Sequence, residues 1–338
     1  MVMDKKTKIT LVIVALLGAL LILTFLQLIW APQRWLTLEQ FFTGLFVEDS
    51  GYRVIIFQHN ATRVTMGLFV GGGLAVSGVV MQALFRNPMA SPYILGLSSG
   101  ASLGAAFAML FVTTSAVFMF AVPLFAFITC MATMFIVYGL ARVGNETHME
   151  TLLLSGIAIG ALLQAIVSLL TYLAGDQLEN IVFWSMGNIS NVEWFQILIV
   201  IPLILIGLSV ATYYSKEINA MMMGDAHAMN LGVDVRRIRL ILLIFISMLT
   251  AAAVCFVGTI GFVGLVIPHI MRIIIGPDNR TLIPLSFLAG GVFLVGCDYA
   301  AHLFAPWFGV LPVGILTSLI GAPYFIYLLR RRKKEVGW

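Results

Sequence analysis

Long apolar segments recur along this chain, and they limit its possible folds more than any other feature of the sequence. An α-helix rises about 1.5 Å per residue, so about 20 apolar residues are needed to cross a hydrocarbon core about 30 Å thick. Ten segments approach or exceed this length, the eighth being the shortest: 9–30, 61–84, 93–112, 116–141, 151–173, 194–214, 237–257, 260–275, 281–301 and 309–329. We therefore predict an all-α, polytopic membrane protein with about ten transmembrane helices.

The composition favours a membrane protein over a water-soluble fold. Of the 338 residues, 61% are hydrophobic and only 10% are charged, whereas an ordinary soluble domain has about 25% charged residues. A soluble fold of this composition would expose large apolar patches and aggregate. The apolar runs are continuous and lack the alternation of transmembrane β-strands, so we treat residues 1–338 as a single helical membrane domain.

The distribution of Lys and Arg predicts how the chain is oriented. Ten spans place both termini on one side of the membrane, and if that side is the cytoplasm it carries 16 of the 19 basic residues. Positive residues concentrate in cytoplasmic loops, so we expect both termini in the cytoplasm, with Arg34, Arg53 and Arg63 outside. The first apolar segment is too long for the core of a secretory signal peptide and lacks a small-x-small cleavage site, which predicts a retained helix.

Two connections have an unusual composition. The cytoplasmic stretch at about 216–236 contains an amphipathic run, Met221–Gly232, that is too polar to span and too apolar for a free loop. A short helix that lies at the interface or docks on a partner fits this pattern. The external stretch at about 177–192, which includes Trp184, predicts a second short interfacial helix. Anchoring of its tryptophan at the membrane surface is the alternative.

The sequence also limits the chemistry of the protein. The G-x-x-x-x-G-K-[ST] phosphate-binding motif does not occur, so ATP could act only through a separate chain. The His and Cys residues have no metal-ligand spacing, and no nucleophile motif occurs. We therefore expect no enzyme active site, no directly bound metal or cofactor, and no nucleic-acid partner. Mid-span carboxylate pairs and His relays are also missing, which argues against an ion-coupled secondary carrier, our alternative reading.

Several sequence blocks resemble the FecCD-type permeases, the membrane subunits of ABC importers for ferric siderophores, haem and cobalamin. The blocks, in chain order, are Ser77–Pro92, Leu95–Ala101, Leu153–Gly160, Gly224–Val233, Gly258–Arg272 and Leu311–Phe325. The resemblance implies the type II ABC importer permease fold and a permease dimer. It further implies two cytoplasmic ATPase subunits that use ATP and Mg²⁺, an extracytoplasmic binding protein, and a multi-pass position in the cytoplasmic membrane of a bacterium or archaeon.

The resemblance assigns roles to particular residues. The family's coupling helix, which inserts into a groove on the ATPase, corresponds to Gly224, Asp225, Ala228, Leu231 and Gly232. Two loops that narrow the cytoplasmic exit, and so act as a gate, correspond to Asn87 with Met89 and to Met149 with Glu150. Helix capping and interface contact are the alternative roles of these four residues.

The predicted docking site for the binding protein departs from the family pattern. Relatives often carry Arg-x-x-Arg before the second span, where this chain has Asn60-Ala-Thr-Arg63, and Arg four residues after an Asp near the ninth span, where this chain has Asp298 and His302. A surface ion pair is worth about 0–1 kcal/mol and acts mainly on orientation and association rate. Docking through Arg63, Asn60 and His302 is therefore expected to be weaker, pH-sensitive through His302, or carried by other contacts. Membrane anchoring is the alternative role of Arg63.

The resemblance places the transport pathway between two permease copies. The fifth and tenth spans would line it with Gln164, Ser168, Thr171, Thr317 and Ser318. These neutral polar side chains suit a large neutral or weakly charged metal chelate, and we expect a ferric siderophore, haem or cobalamin. An oxyanion carried by the same fold is the alternative substrate.

Overall fold

The computed structural model describes residues 4–31, 34–48, 50–112, 115–143 and 146–336, which fold mainly into α-helices. In chain order these are α1 (Lys5–Leu28), α2 (Leu38–Phe46), α3 (Gly51–Arg53), α4 (Ala61–Leu84), α5 (Leu97–Phe111), α6 (Ser115–Ala141), α7 (Met149–Tyr172), α8 (Leu178–Ser185), α9 (Trp194–Tyr213), α10 (Ser215–Met222), α11 (Asp225–Asn230), α12 (Val235–Val254), α13 (Val263–Ile275), α14 (Asn279–Leu303), α15 (Ala305–Phe308) and α16 (Val313–Val336).

Shorter elements complete the architecture. A π-helix (Val54–Asn60) joins α3 to α4, and 3₁₀ turns cover Pro92–Leu95 and Gly175–Gln177. Two antiparallel strand pairs of two residues per strand are present, β1 (Trp30–Ala31) with β2 (Arg34–Trp35) and β3 (Arg142–Val143) with β4 (Glu146–Thr147). The first pair lies between α1 and α2 in the chain, and the second lies between α6 and α7.

Helix length and composition agree with a membrane protein. Within the described residues, seven helical stretches are long and apolar enough to cross a bilayer, and three further apolar helices are shorter, namely Leu97–Phe111, Val263–Ile275 and Val313–Leu328. Each of the ten predicted segments overlaps one of these ten helices. The all-α fold class is confirmed, while the number of crossings and the side of the termini stay predictions.

The second predicted segment, 61–84, matches α4, and the helical stretch that contains it is longer. The helix runs without a break from Gly51 to Leu84, which is 34 residues instead of the expected 24 from position 61. The polar residues Gln58 and His59 are exposed on the π-helical turn, and the helix continues through them. These polar side chains therefore do not mark the end of the helix.

Helix α4 lies at the centre of the bundle. Twenty of its 24 residues are buried, and it packs against α14, α12, α13 and α9. Its glycines permit close backbone contact: a Cβ atom added to Gly71 would overlap the carbonyl oxygen of Gly290 on α14, and one added to Gly78 would overlap that of Gly264 on α13. Small residues at such crossings are the usual basis of helix packing in membranes.

The chain is not helical between α12 and α13. Residues 255–262 form turns and irregular backbone, and Phe262 has a positive φ of 66° immediately before α13 begins. Helix α13 has 13 residues, a length of about 20 Å, which is less than the apolar thickness of a bilayer. Non-helical backbone inside a membrane protein is tolerated where it is buried in protein or lines a cavity.

The outer surface carries large apolar side chains. Leu21 on α1 and Leu198 on α9 are each 71% exposed, and many similar residues lie on α6 and α7. In water such a surface would cause aggregation, whereas lipid solvates it without penalty. The exposed surface therefore agrees with a bundle that is surrounded by lipid and by partner subunits.

Candidate functional site

Two adjoining cavities form a groove along one side of the bundle. The larger has a volume of about 680 Å³ and is lined mainly by α16, the 3₁₀ turn at Pro92–Leu95 and the non-helical segment after α12. The second has a volume of about 480 Å³ and lies between α5, α7 and α8. Ser98, Ser185 and Thr259 line both cavities, so the two are continuous.

Most predicted pathway residues line this groove. Gln164, Ser168 and Thr171 line the second cavity, and Ser318 lines the first. Thr317 lines neither, because its side chain is fully buried and its hydroxyl donates to the Gly314 carbonyl at 3.1 Å. Neighbouring residues on a helix face different directions, so only one of the pair Thr317 and Ser318 can reach the groove.

The structure adds pathway residues that sequence reasoning missed. They are hydroxyl-bearing side chains from α5, α8 and the non-helical segment: Ser98, Ser99, Ser102, Ser185 and Thr259. The four-residue spacing of Ser98 and Ser102 on one helix face was the available signal. Neither cavity has an Asp, Glu, Lys, Arg or His among its described lining residues, so the groove presents neutral hydrogen-bonding groups.

Hydrogen bonds fix the non-helical segment at the groove. The Tyr93 hydroxyl donates to the Ile260 carbonyl at 2.7 Å and accepts from the Ile260 backbone N–H at 3.3 Å. The Thr259 hydroxyl donates to the Ser185 carbonyl at 2.6 Å. These bonds satisfy backbone groups that have no helical partner, and non-helical backbone inside a membrane needs such partners.

The first predicted gate pair forms a compact turn after α4. The Asn87 side-chain oxygen accepts from the Met89 backbone N–H at 2.9 Å, which is a local turn that asparagine favours. Met89 lines a small separate cavity together with Pro88, His269 and residues of α16. The turn therefore lies beside the helix that also lines the main groove.

The second predicted gate pair begins α7. Met149 is the first residue of this helix, and Glu150 lies exposed in its first turn, where a carboxylate interacts favourably with the helix dipole. This is the capping role named above as the alternative. A gate role for either pair stays a prediction.

The predicted coupling stretch contains two short helices, α10 and α11, instead of one. Gly224 between them has a φ of +125°, and Gly232 after α11 has a φ of +82°, so both positions need glycine. Ala228 is buried, whereas Leu231 is 62% exposed. The two helices thus face the bundle on one side and present apolar side chains on the other.

Polar contacts hold α10 and α11 to the bundle. The Asn219 amide donates to Asp278 at 2.9 Å and accepts from the Asn279 amide at 2.7 Å, and the Asn219 hydrogen bond is the main reason that the pKa of Asp278 is lowered. Asp225 accepts from Arg86 and, at 2.6 Å, from Arg239 of α12. The coupling stretch is therefore fixed to α4, α12 and α14.

The side chains predicted to dock a binding protein form hydrogen bonds with other residues of this chain. Arg63 is buried and binds the Asp298 carboxylate through two nitrogens, at 2.8 and 3.2 Å. Gln27 of α1 donates to the same carboxylate, and His302 Nδ1 lies 3.2 Å from Arg63 Nη2 and 2.9 Å from the Asp298 carbonyl oxygen. This cluster joins α1, α4 and α14.

Asn60 is also buried. Its amide donates to the Trp30 carbonyl at 2.6 Å, at the end of α1. The docking prediction for Arg63 and Asn60 gains no support from this geometry, because neither side chain is free at the surface. Gln27, a lone amide in an apolar segment, was the sequence signal for a buried polar cluster.

Comparison with known proteins identifies the family. The FecCD transport family matches residues 7–331. The cobalamin import system permease protein of Halobacterium salinarum is 43% identical over 281 residues, which cover 83% of this chain and 74% of the relative. The hemin transport system permease protein of Yersinia pestis is 42% identical over 277 residues, which cover 81% of this chain and 82% of the relative.

Solved structures agree with these relatives. A chain described as an inward-facing conformation of a metal-chelate type ABC transporter has a TM-score of 0.83 and 29% identity, over 94% of this chain and 98% of that chain. The predicted resemblance is therefore confirmed. The chain belongs to the FecCD transport family, and it is a permease component of an ABC importer rather than an enzyme.

Proposed function

We propose that this chain is the membrane-spanning subunit that carries a bulky metal chelate, of the ferric siderophore, haem or cobalamin type, into the cell. The named substrates of the relatives, cobalamin and hemin, support this substrate class. The groove supports it as well, since about 680 and 480 Å³ of connected space in one copy suits a large ligand. Its neutral lining suits a ligand whose metal charge is enclosed by the chelator.

The observation that carries the proposal is the coupling stretch. Helices α10 and α11 are fixed to three membrane helices through Asp225 and Asn219, while Met223, Met229 and Leu231 are exposed. A short apolar surface of this kind suits insertion into a groove of a partner. We assign that partner as an ATPase subunit, which would supply the ATP and Mg²⁺ chemistry that this chain does not perform.

The proposed assembly contains two permease copies, two ATPase subunits and an extracytoplasmic binding protein in the cytoplasmic membrane of a bacterium or archaeon. A groove along one side of a single copy becomes an enclosed pathway when a second copy covers it. ATP binding and hydrolysis would then move the two copies about their interface and open the pathway to alternate sides. No covalent step on the substrate is needed.

Reconstitution of the assembly tests this function. The chain, its ATPase and its binding protein are placed in liposomes, and uptake of the chelate is measured with ATP, without ATP and with an ATPase variant that cannot hydrolyse ATP. We expect uptake only with ATP and the active ATPase. Equal uptake without ATP would contradict the proposal, and uptake that follows an imposed proton or sodium gradient would support the carrier alternative.

A further inference from the structure

A carboxylate shared by two arginines connects the coupling stretch to the turn that was predicted to act as a gate. Asp225 is the first residue of α11 and accepts from Arg86 through one oxygen and from Arg239 through the other. Arg86 is also within hydrogen-bond reach of α10, since its Nε donates to the Met221 carbonyl at 2.9 Å. Arg86 immediately precedes Asn87 and Met89, so one side chain ties the turn to both short helices.

The backbone at Arg86 favours glycine. Helix α4 ends with the N–H of Arg86 bonded to the Ala83 carbonyl and the N–H of Asn87 bonded to the Gln82 carbonyl, which is the Schellman arrangement. In this arrangement the residue after the C-cap is left-handed and is usually glycine, and Arg86 has a φ of 48°. A side chain at this position therefore adds strain that glycine would avoid.

A strained residue of this kind points to a role for its side chain. The Arg86 side chain is 43% exposed and that of Asp225 is 40% exposed, and an isolated pair at such exposure contributes little to stability. Without Arg86, Asp225 would still be paired with Arg239, whose side chain is only 10% exposed. Stability alone gives little reason to keep arginine at position 86.

We propose that Arg86 is a positioning residue that transmits movement of the coupling stretch to the Asn87–Met89 turn. A shift of α10 and α11 would move Met221 and Asp225, and both hold the Arg86 guanidinium. Because Arg86 lies one residue before the turn, the shift reaches the turn through a single side chain. This inference rests on the proposed function, since it needs an ATPase to move the stretch.

Two substitutions distinguish the effect of the Arg86 side chain from the effect of the strained backbone at this position. Arg86→Gly removes the ion pair and relieves the left-handed backbone, whereas Arg86→Gln removes the ion pair and keeps the strain. Arg280→Gln is a matched control, because Arg280 is an exposed arginine at the start of α14. For each variant in the reconstituted assembly, chelate uptake and ATP hydrolysis are measured on the same liposomes, together with ATPase association.

The expected result is weaker coupling between ATP hydrolysis and chelate uptake. Both Arg86 variants should bind the ATPase and hydrolyse ATP, while the amount of chelate carried per ATP falls at least about fivefold, the lower end of typical coupling between sites. Arg280→Gln should keep the wild-type ratio. Because the glycine variant relieves strain, it should remain folded even if the glutamine variant does not.

The other outcomes are decisive. Wild-type protein without ATP-dependent uptake would overturn the proposed function itself. Wild-type coupling in a folded Arg86→Gly variant would overturn the role of Arg86 and leave the proposed function intact. Loss of ATPase association in that variant would also overturn it, because Arg86 would then be a docking residue. A loss of coupling in the glycine variant alone would assign the effect to the freed backbone at position 86 and contradict the inference.

Discussion

At the scale of single residues, the pair of Arg63 and Asp298 places two charged side chains inside the bundle. Both side chains are more than nine-tenths buried, and a charge placed among membrane helices is tolerated when it is paired and hydrogen-bonded. Asp298 accepts from Arg63 at two positions and from Gln27. The pair therefore joins one end of each of three helices, α1, α4 and α14.

Removing one member of this pair should destabilise the protein strongly. Asp298→Asn leaves the Arg63 guanidinium buried without its counter-charge, and such a loss typically costs about 3–5 kcal/mol. We expect a clearly lower midpoint for thermal unfolding of the detergent-solubilised chain. The double variant Arg63→Gln with Asp298→Asn should lose less than Asp298→Asn alone, because no buried charge is left over. If the loss in the double variant equals the sum of the losses in Arg63→Gln and Asp298→Asn measured separately, the two residues are not coupled.

At the scale of secondary-structure elements, the sequence predicted the long helices well because each one needs a continuous apolar surface. It could not predict that α10 and α11 are separate helices, since the break depends on the positive φ of Gly224. It also did not predict that Arg63 binds Asp298, because a position near a helix end does not specify which side chains of other helices are close. Ser168 and Ser318 were predicted because the family resemblance placed the pathway along the fifth and tenth spans, where they are polar residues. Thr259 was missed because its position depends on the non-helical backbone after α12.

The exposed apolar surface formed by α11 and by Leu231, which directly follows it, should bind the ATPase. Leu231 is largely exposed, so Leu231→Asp adds a charge to the apolar surface while leaving the packing of the bundle intact. We expect reduced recovery of the ATPase with the solubilised permease and an unchanged midpoint for thermal unfolding. Phe308→Asp is the control, since Phe308 is 72% exposed on α15, which the predicted topology places on the external side. Equal loss of the ATPase in both variants would contradict a specific role of α11.

At the scale of the whole molecule, the topology decides whether the proposed sites can serve their functions. Helix α9 has 20 residues, a length of about 30 Å, which equals the apolar thickness of a bilayer. Helix α8 precedes it and α10 follows it. If α9 crosses the membrane, α8 and the coupling stretch lie on opposite sides, and the excess of basic residues predicts that the coupling stretch is on the cytoplasmic side.

Cysteine labelling tests this arrangement. The three native cysteines are buried, so they should give a low background with a membrane-impermeant thiol reagent. Glu179 on α8 and Lys216 on α10 are both exposed. In right-side-out vesicles, Glu179→Cys should be labelled directly, whereas Lys216→Cys should be labelled only after the membrane is permeabilised. The reverse pattern would place α10 and α11 outside the cell, where no ATPase could bind them, and labelling of both positions in sealed vesicles would show that α9 does not cross the membrane.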